Sequence, residues 1–218
     1  MKTLAEAKPA EIVAEYGPFE HVEMVRGVTY DGARVWFASD DGLVAFDPSR
    51  RAEEKRLDVV VDAGTAFDGK YLWHIVGLEI RKLDPDTGEV LSTLPAPSAQ
   101  SSGLAYADGA LWVGEYRGQK IHKIDARTGK VLKTIDSDSF VTGVTFADGE
   151  LWHATMDAAR TESEIRRVDV ETGAVIERLL MPKGALVSGL EAGDGVLYAG
   201  AHRQERAAVR AVRRPKKS

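Results

Sequence analysis

The sequence predicts an all-β fold: a five-bladed β-propeller of four-stranded antiparallel blades, closed by an N-terminal strand. Three observations carry the prediction. One phrase occurs five times, its copies are spaced at the length of one blade, and the strand missing from the last copy stands at the N-terminus. The phrase is a glycine, two or three strand-type residues, Asp-Gly, and an apolar–aromatic pair. It reads Gly27-Val28-Thr29-Tyr30-Asp31-Gly32 before Val35-Trp36, and Gly64-Thr65-Ala66-Phe67-Asp68-Gly69 before Leu72-Trp73. It returns at Gly103 with Asp108-Gly109 before Leu111-Trp112, and at Gly143 with Asp148-Gly149 before Leu151-Trp152. The last copy starts at Gly189, with Asp194-Gly195 before Leu197-Tyr198. The interval is roughly 40 residues, which suits four short strands.

Each phrase reads as strand A, a tight turn and strand B. A type I′ hairpin needs positive φ at both central residues, and Asp-Gly tolerates that. A second phrase, Asp84-Pro85-Asp86-Thr87-Gly88, Asp125-Ala126-Arg127-Thr128-Gly129 and Asp169-Val170-Glu171-Thr172-Gly173, reads as the turn between strands C and D. Asp and Thr there bond nearby backbone and Gly supplies positive φ. The flanking segments alternate as half-buried strands do, as in Lys120 to Asp125 and Lys130 to Ile135. The fifth copy has strands A and B, and then Ala207 to Arg213 as strand C, with no strand D after it. Residues 11–16 supply one from the N-terminus, and closure removes open sheet edges. Leu4, Ala7, Ile12 and Val13 are also loosely helix-spaced, but closure requires a strand over 11–16. Residues 1–10 are then an N-terminal arm of helix-like spacing, 11–213 a single domain, and 214–218 a basic tail.

The composition narrows the function classes. The chain of 218 residues has no cysteine, so disulfides, thiolate metal sites and cysteine nucleophiles are excluded. A net charge of -5 gives no general field for nucleic acid. The basic tract from Arg210 to Lys217 reads as a solvated terminus. No apolar run reaches the length of a membrane span, and the first residues lack a signal-peptide core. The expectation is a cytoplasmic protein with no nucleic-acid or membrane partner, or a periplasmic one if a leader has been removed. No nucleophile elbow, phosphate loop, HExxH or dinucleotide fingerprint is present, and the glycines read as turn residues.

In a propeller the D–A and B–C loops gather at one mouth of the axis, where loops on a rigid frame carry function. Charges that sister blades lack are the candidates there. The position after the B-strand aromatic reads Phe37, His74, Val113, His153 and Ala199, and His202 lies three residues beyond the last. A neutral imidazole is a general base or metal ligand near neutral pH. His74, His153 and Glu115 are therefore the acid–base candidates. Arg26, Asp62, Tyr116, His202 and Glu23 are candidates for substrate binding. A divalent metal ion is compatible with the same histidines and carboxylates. The structural alternatives are histidines bonded inside the core and an Arg26–Asp62 ion pair between blades one and two. Trp36, Trp73, Trp112, Trp152 and Tyr198 recur at the blade period and read as core.

The small-Gly-Leu/Val, Asp-Gly, Leu-Trp and D-x-x-T-G-x-V pattern resembles the glutamine cyclotransferase family, the plant and bacterial glutaminyl cyclases of five-bladed form. The resemblance covers about residues 11–213. It implies an acyl-transfer enzyme that cyclises N-terminal glutamine with acidic residues at the channel mouth. The family's Glu-Gly-Leu glutamates are replaced here by Arg26, Ala63, Ser102, Thr142 and Ser188. Virginiamycin B lyase-like propellers share the blade grammar. The expectation is an enzyme, cyclotransferase or lyase, acting on a small polar molecule or peptide terminus at the mouth. A binding module or a protein-interaction propeller is the alternative.

Overall fold

The computed structural model describes residues 5–201 and 207–216. These residues form strands and turns with no helix, in five sheets. Blade one is β3 (Val28–Tyr30), β4 (Val35–Ser39), β5 (Gly42–Asp47) and β6 (Ala52–Leu57). Blade two is β7 (Thr65–Phe67), β8 (Leu72–Val76), β9 (Glu79–Leu83) and β10 (Val90–Pro95). Blade three is β11 (Ser101–Ala107), β12 (Ala110–Glu115), β13 (Lys120–Asp125) and β14 (Val131–Asp136). Blade four is β15 (Phe140–Ala147), β16 (Glu150–Met156), β17 (Ser163–Val168) and β18 (Val175–Leu180). Blade five is β19 (Val187–Gly193), β20 (Val196–Ala201), β21 (Val209–Arg213) and the N-terminal β2 (Ile12–Tyr16).

Closure follows the expectation. β2 pairs antiparallel with β21, with Tyr16 opposite Val209 and Ile12 opposite Val212. The arm before it differs from the expectation. β1 (Ala7–Pro9) is extended and pairs in parallel with β18, adding a fifth strand to blade four. The helix-like spacing gives way because a lone short helix is marginal in water, whereas the open edge of β18 offers backbone partners.

The core consists of five clusters, one at each blade interface. Trp36 with Leu57, Leu72 and Leu83 joins blades one and two, and Trp73 with Leu104 and Leu111 joins two and three. Trp112 with Val144 and Leu151, Trp152 with Leu190 and Leu197, and Tyr198 with Val28 and Phe37 complete the ring. The repeated aromatics are 0–3% exposed, as a structural role requires. Each such ring removes roughly 150–250 Å² from water, worth about 4–6 kcal/mol.

The hairpins divide into two kinds. Asp108-Gly109, Asp148-Gly149 and Asp194-Gly195 have positive φ at both residues, as a type I′ turn requires. Blades one and two have one extra residue before the tryptophan, and only Gly32 and Gly69 have positive φ. There the aspartate is a cap. Asp31 accepts the N–H groups of Ala33 and Arg34, and its other oxygen accepts Trp36 Nε1–H at 2.7 Å. Asp68 does the same for Lys70, Tyr71 and Trp73. Asp84, Asp125 and Asp169 bond the backbone of their own C–D turns, as the sequence predicts.

The glycines that open the A strands are not turn residues. They stand where neighbouring blades meet at the axis. A Cβ on Gly64 would lie 2.5 Å from the Leu104 nitrogen, one on Gly103 2.5 Å from the Val144 nitrogen, and one on Gly143 2.5 Å from the Leu190 nitrogen. Gly27 faces the Ala63 carbonyl and Gly189 faces Arg26 in the same way. Only hydrogen fits at these five places, so the ring closes tightly around its axis.

Candidate site at the axial mouth

Immediately before each A-strand glycine stands one residue of a second ring: Arg26, Ala63, Ser102, Thr142 and Ser188. These five residues, one per blade, line a concavity of about 210 Å³ at the mouth. Met24, Asp62, Tyr116 and Met156 complete its wall. The A strands of blades three, four and five slip register at this point, between Ser101 and Leu104, Val141 and Gly143, and Val187 and Gly189. Bulges of this kind re-aim side chains at the end of a strand.

Two of the ring hydroxyls are committed to blade-to-blade bonds. Ser102 Oγ donates to the Val141 carbonyl at 2.7 Å, and Ser188 Oγ to the Val25 carbonyl at 2.5 Å. Thr142 Oγ1 is enclosed and has no hydrogen-bond partner. Arg26 pairs with Asp40 of its own blade. Asp62 accepts the Gly77 N–H at 2.7 Å. The sequence alternative of an Arg26–Asp62 pair is therefore replaced by two separate local contacts, each fixing a charge at the rim. The Tyr116 hydroxyl donates to Met156 Sδ at 3.7 Å, and its ring packs on Phe140 with centroids 4.8 Å apart.

The predicted site residues fall into three groups. Arg26, Asp62 and Tyr116 meet in the mouth concavity. Glu23 is exposed nearby but does not line it. His202 lies outside the described residues.

His74, His153 and Glu115 are not brought together. His74 is buried in β8 between Thr65 and Arg81, with neither ring nitrogen bonded. Burial, aided by the Arg81 charge, lowers its pKa to about 4. His153 is buried in β16 beside Arg166, and burial with that charge lowers its pKa to about 3. Its Nδ1 also has no partner. It lines a separate cleft of about 360 Å³ between blades three and four. Arg166 there is held by Asp138 and by Glu164, the latter at 2.8 Å. Both imidazoles are neutral at physiological pH, and neither lines the mouth concavity.

Glu115 is bonded at the end of β12 to His122 Nε2 at 3.0 Å and to Ser98 Oγ at 2.9 Å. The His122 bond, with that from Ser98, holds its pKa below the usual carboxylate value. Among the described residues no group of three or more His, Asp or Glu side chains is placed to hold a metal ion. The three candidates for such a site stand on three different blades.

A further acidic group, outside the predicted set, lies below the glycine ring. Glu191 on β19 accepts hydrogen bonds from Thr29 of blade one and Thr145 of blade four. The Ala192 N–H adds a third at 2.9 Å. Burial raises its pKa to about 7 against the opposing effect of these three donors. Its counterparts two residues after the other glycines are Thr29, Ala66, Ala105 and Thr145. That contrast is the sequence signal that marks it.

No curated protein matches the sequence. The glutaminyl cyclase of Myxococcus xanthus superposes with a TM-score of 0.73 at 13% identity, covering 94% of this chain and 98% of its own. The WD40 β-propeller domain of Doa1 superposes with a TM-score of 0.53 at 17% identity, over 87% of this chain and 63% of that one. Hydrazine synthase of Kuenenia stuttgartiensis gives 0.52 at 14% identity, over 85% and 59%. These likenesses establish a five-bladed propeller of glutaminyl cyclase-like form. The family model described as outer membrane protein assembly factor BamB matches residues 77–211, more than half of the chain, and the chain belongs to that family.

Proposed function

We propose that the axial mouth is a recognition site for a small polar molecule or a peptide terminus. The observation that carries the reading is the mouth concavity. All five blades contribute to its wall, which holds a guanidinium and a carboxylate that the repeat does not need for folding. A structural residue repeats with the blade, as the tryptophans do. Arg26 and Asp62 break the pattern at the place where a ligand has access. Opposite charges in one small concavity suit a molecule bearing both an amine and a carbonyl or carboxylate.

The reading is one of binding before chemistry. Proton transfer needs a group that reaches the ligand and exchanges a proton near the working pH. The neutral imidazoles of His74 and His153 are buried away from the mouth, that of His153 at the cleft between blades three and four, and Glu115 is engaged by His122 and Ser98. A catalytic reading is favoured by the end-to-end superposition on a glutaminyl cyclase, and the same experiment addresses it.

The test is calorimetric titration of amino acids, their amides and short peptides into the protein, with product analysis of each mixture. Binding that weakens at least tenfold in Arg26→Ala and in Asp62→Asn supports the mouth site. Binding unaffected by either variant would sink it. Conversion of a glutaminyl peptide to its pyroglutamyl form would move the protein from binding module to cyclotransferase. If no small molecule binds, the description of its family as an assembly factor favours a protein-interaction role.

A further inference from the structure

Within the mouth-binding reading, on which this step rests, we infer that the ligand is an α-amino acyl unit with an apolar side chain, its acyl oxygen held by Thr142. The ring hydroxyls differ in one respect. Ser102 and Ser188 each donate to a carbonyl two residues before the next blade's glycine, Val141 and Val25. The equivalent acceptor for Thr142 is the Val187 carbonyl, and Thr142 Oγ1 makes no bond to it or to any other atom. The residue is only 5% exposed, and its side chain faces the concavity. A buried hydroxyl without a partner is a free-energy cost that a ligand relieves by supplying an acceptor. Rotation about the Thr142 Cα–Cβ bond exchanges hydroxyl and methyl at the wall, so the donor is presented without movement of the backbone.

The rest of the wall defines what accompanies that acceptor. Asp62 spends one oxygen on Gly77, and Arg26 spends part of its fork on Asp40. A carboxylate has about four acceptor sites and a guanidinium five donors, so both retain capacity. The ligand's amine faces Asp62, and its acyl oxygen faces Arg26 and Thr142. The surface left for its side chain is Ala63, the Tyr116 ring, and the thioethers of Met24 and Met156. Methionines adapt to apolar groups of varied shape. A long polar side chain would find its remaining partners, Ser102 and Ser188, already engaged. The concavity, at about 210 Å³, lies below the roughly 300–1,000 Å³ of drug-sized sites and suits a single residue.

The experiment titrates wild type, Thr142→Val, Thr142→Ser and Ser102→Ala with leucine amide, free leucine, Leu-Gly, glutamine amide and lysine amide. Leucine probes are expected to bind at least tenfold tighter than the glutamine and lysine amides. Thr142→Val, which keeps shape and removes the hydroxyl, should weaken leucine amide about tenfold without lowering Tm. Thr142→Ser should keep the preference, and it serves as the informative variant if the valine form does not fold. Ser102→Ala should lower Tm, because it breaks the blade-to-blade bond to the Val141 carbonyl. Tighter binding of free leucine identifies a free amino acid as the ligand, and tighter binding of Leu-Gly identifies a peptide N-terminus; either supports the proposal. Equal binding of glutamine or lysine amide, or unchanged binding by Thr142→Val, overturns it. If that equal binding is abolished by Arg26→Ala, the mouth reading survives alone. If no probe binds the wild type, both fall.

Discussion

Thr29 Oγ1 lies 2.8 Å from Glu191 Oε2, a hydrogen bond that crosses from blade one to blade five beneath the glycine ring. With Thr145 on the other side, the Glu191 carboxylate joins three consecutive blades. Burial keeps it protonated to about pH 7, whereas in the unfolded chain it ionises near 4.5. Between those values the folded state holds a proton that the unfolded state has released. This group's contribution to stability therefore falls as pH rises from about 4.5 to 7 and is level above. Glu191→Gln removes the linkage and keeps hydrogen-bonding atoms for both threonines. The unfolding free-energy difference between Glu191→Gln and wild type, measured in urea, should grow in favour of the variant by on the order of 2 kcal/mol from pH 5 to 7.5. A pH-independent difference would show that the carboxylate is ionised throughout.

The histidines give the opposite slope. Their folded-state pKa values, about 4 for His74 and about 3 for His153, lie below the ordinary 6.5. The unfolded state binds protons first on acidification. Stability is therefore full above about pH 6.5 and is lost as pH falls through the folded values. His74→Leu, close in volume, removes two unbonded nitrogens at a position where sister blades carry Phe37, Val113 and Ala199. The variant should be as stable as wild type at pH 7, or about 1 kcal/mol more so, and less sensitive to acid. Urea unfolding at pH 7 and pH 5 checks both statements. A loss above about 2 kcal/mol at pH 7 would mean the imidazole makes a bond that an apolar group cannot replace.

Why the repeat was legible and the site only partly so has a physical basis. The Asp-Gly turns, the tryptophans and the missing D strand are set by local geometry and by the period, which one chain displays five times. The charges of Arg26 and Asp62 stood out as departures from that period, and both line the mouth. Departure from the period does not say which way a side chain points. His74 and His153 also break the pattern, yet both are buried and neither lines the mouth. The contrast of Glu191 with its sister positions marks it, but its role is not legible in sequence, because its partners Thr29 and Thr145 are far away along the chain and meet it only when the ring closes. The axial glycines read as turn glycines because close approach between blades is likewise a property of the closed ring.

That distinction between glycines can be measured. A methyl group on Gly103 would stand 2.5 Å from the Val144 nitrogen and 2.7 Å from the Gly143 carbonyl carbon, both backbone atoms that cannot swing away. A methyl on Gly109 would meet nothing within 4 Å, and its cost is only that of positive φ, 75°. Gly109→Ala should therefore lose about 1–2 kcal/mol. Gly103→Ala should lose more than about 3 kcal/mol or fail to fold, because the ring must open to admit it. Chemical denaturation of the two variants under one condition gives the comparison. Equal losses would remove the close-approach role.

The two N-terminal strands should differ as sharply. β1 adds a short parallel pairing to β18, with the exposed Lys8 3.4 Å from Glu177. With the Lys8 end of the pair in solvent, its contribution is about 0–1 kcal/mol. The edge it leaves bare carries Glu177 and Arg178, charges that discourage pairing with another chain. Removal of residues 1–9 should therefore lower stability by about 1 kcal/mol and leave a monodisperse protein. β2 is different in kind. Tyr16 packs on Phe46 with ring centroids 5.1 Å apart and on Tyr198 at 6.4 Å, bridging blades one and five. Glu15 pairs with Arg210 and Glu11 with Arg213 across the same strand boundary. Removal of residues 1–16 strips the closing strand from blade five and bares the edge of β21, whose inward residues Val209, Ala211 and Val212 are core. That truncation should yield an aggregating protein with no cooperative unfolding transition, and adding a peptide of residues 1–16 in excess should restore the transition. A soluble, cooperatively folded truncation would show that four complete blades and an open fifth suffice, and that the closing strand is not what holds the ring.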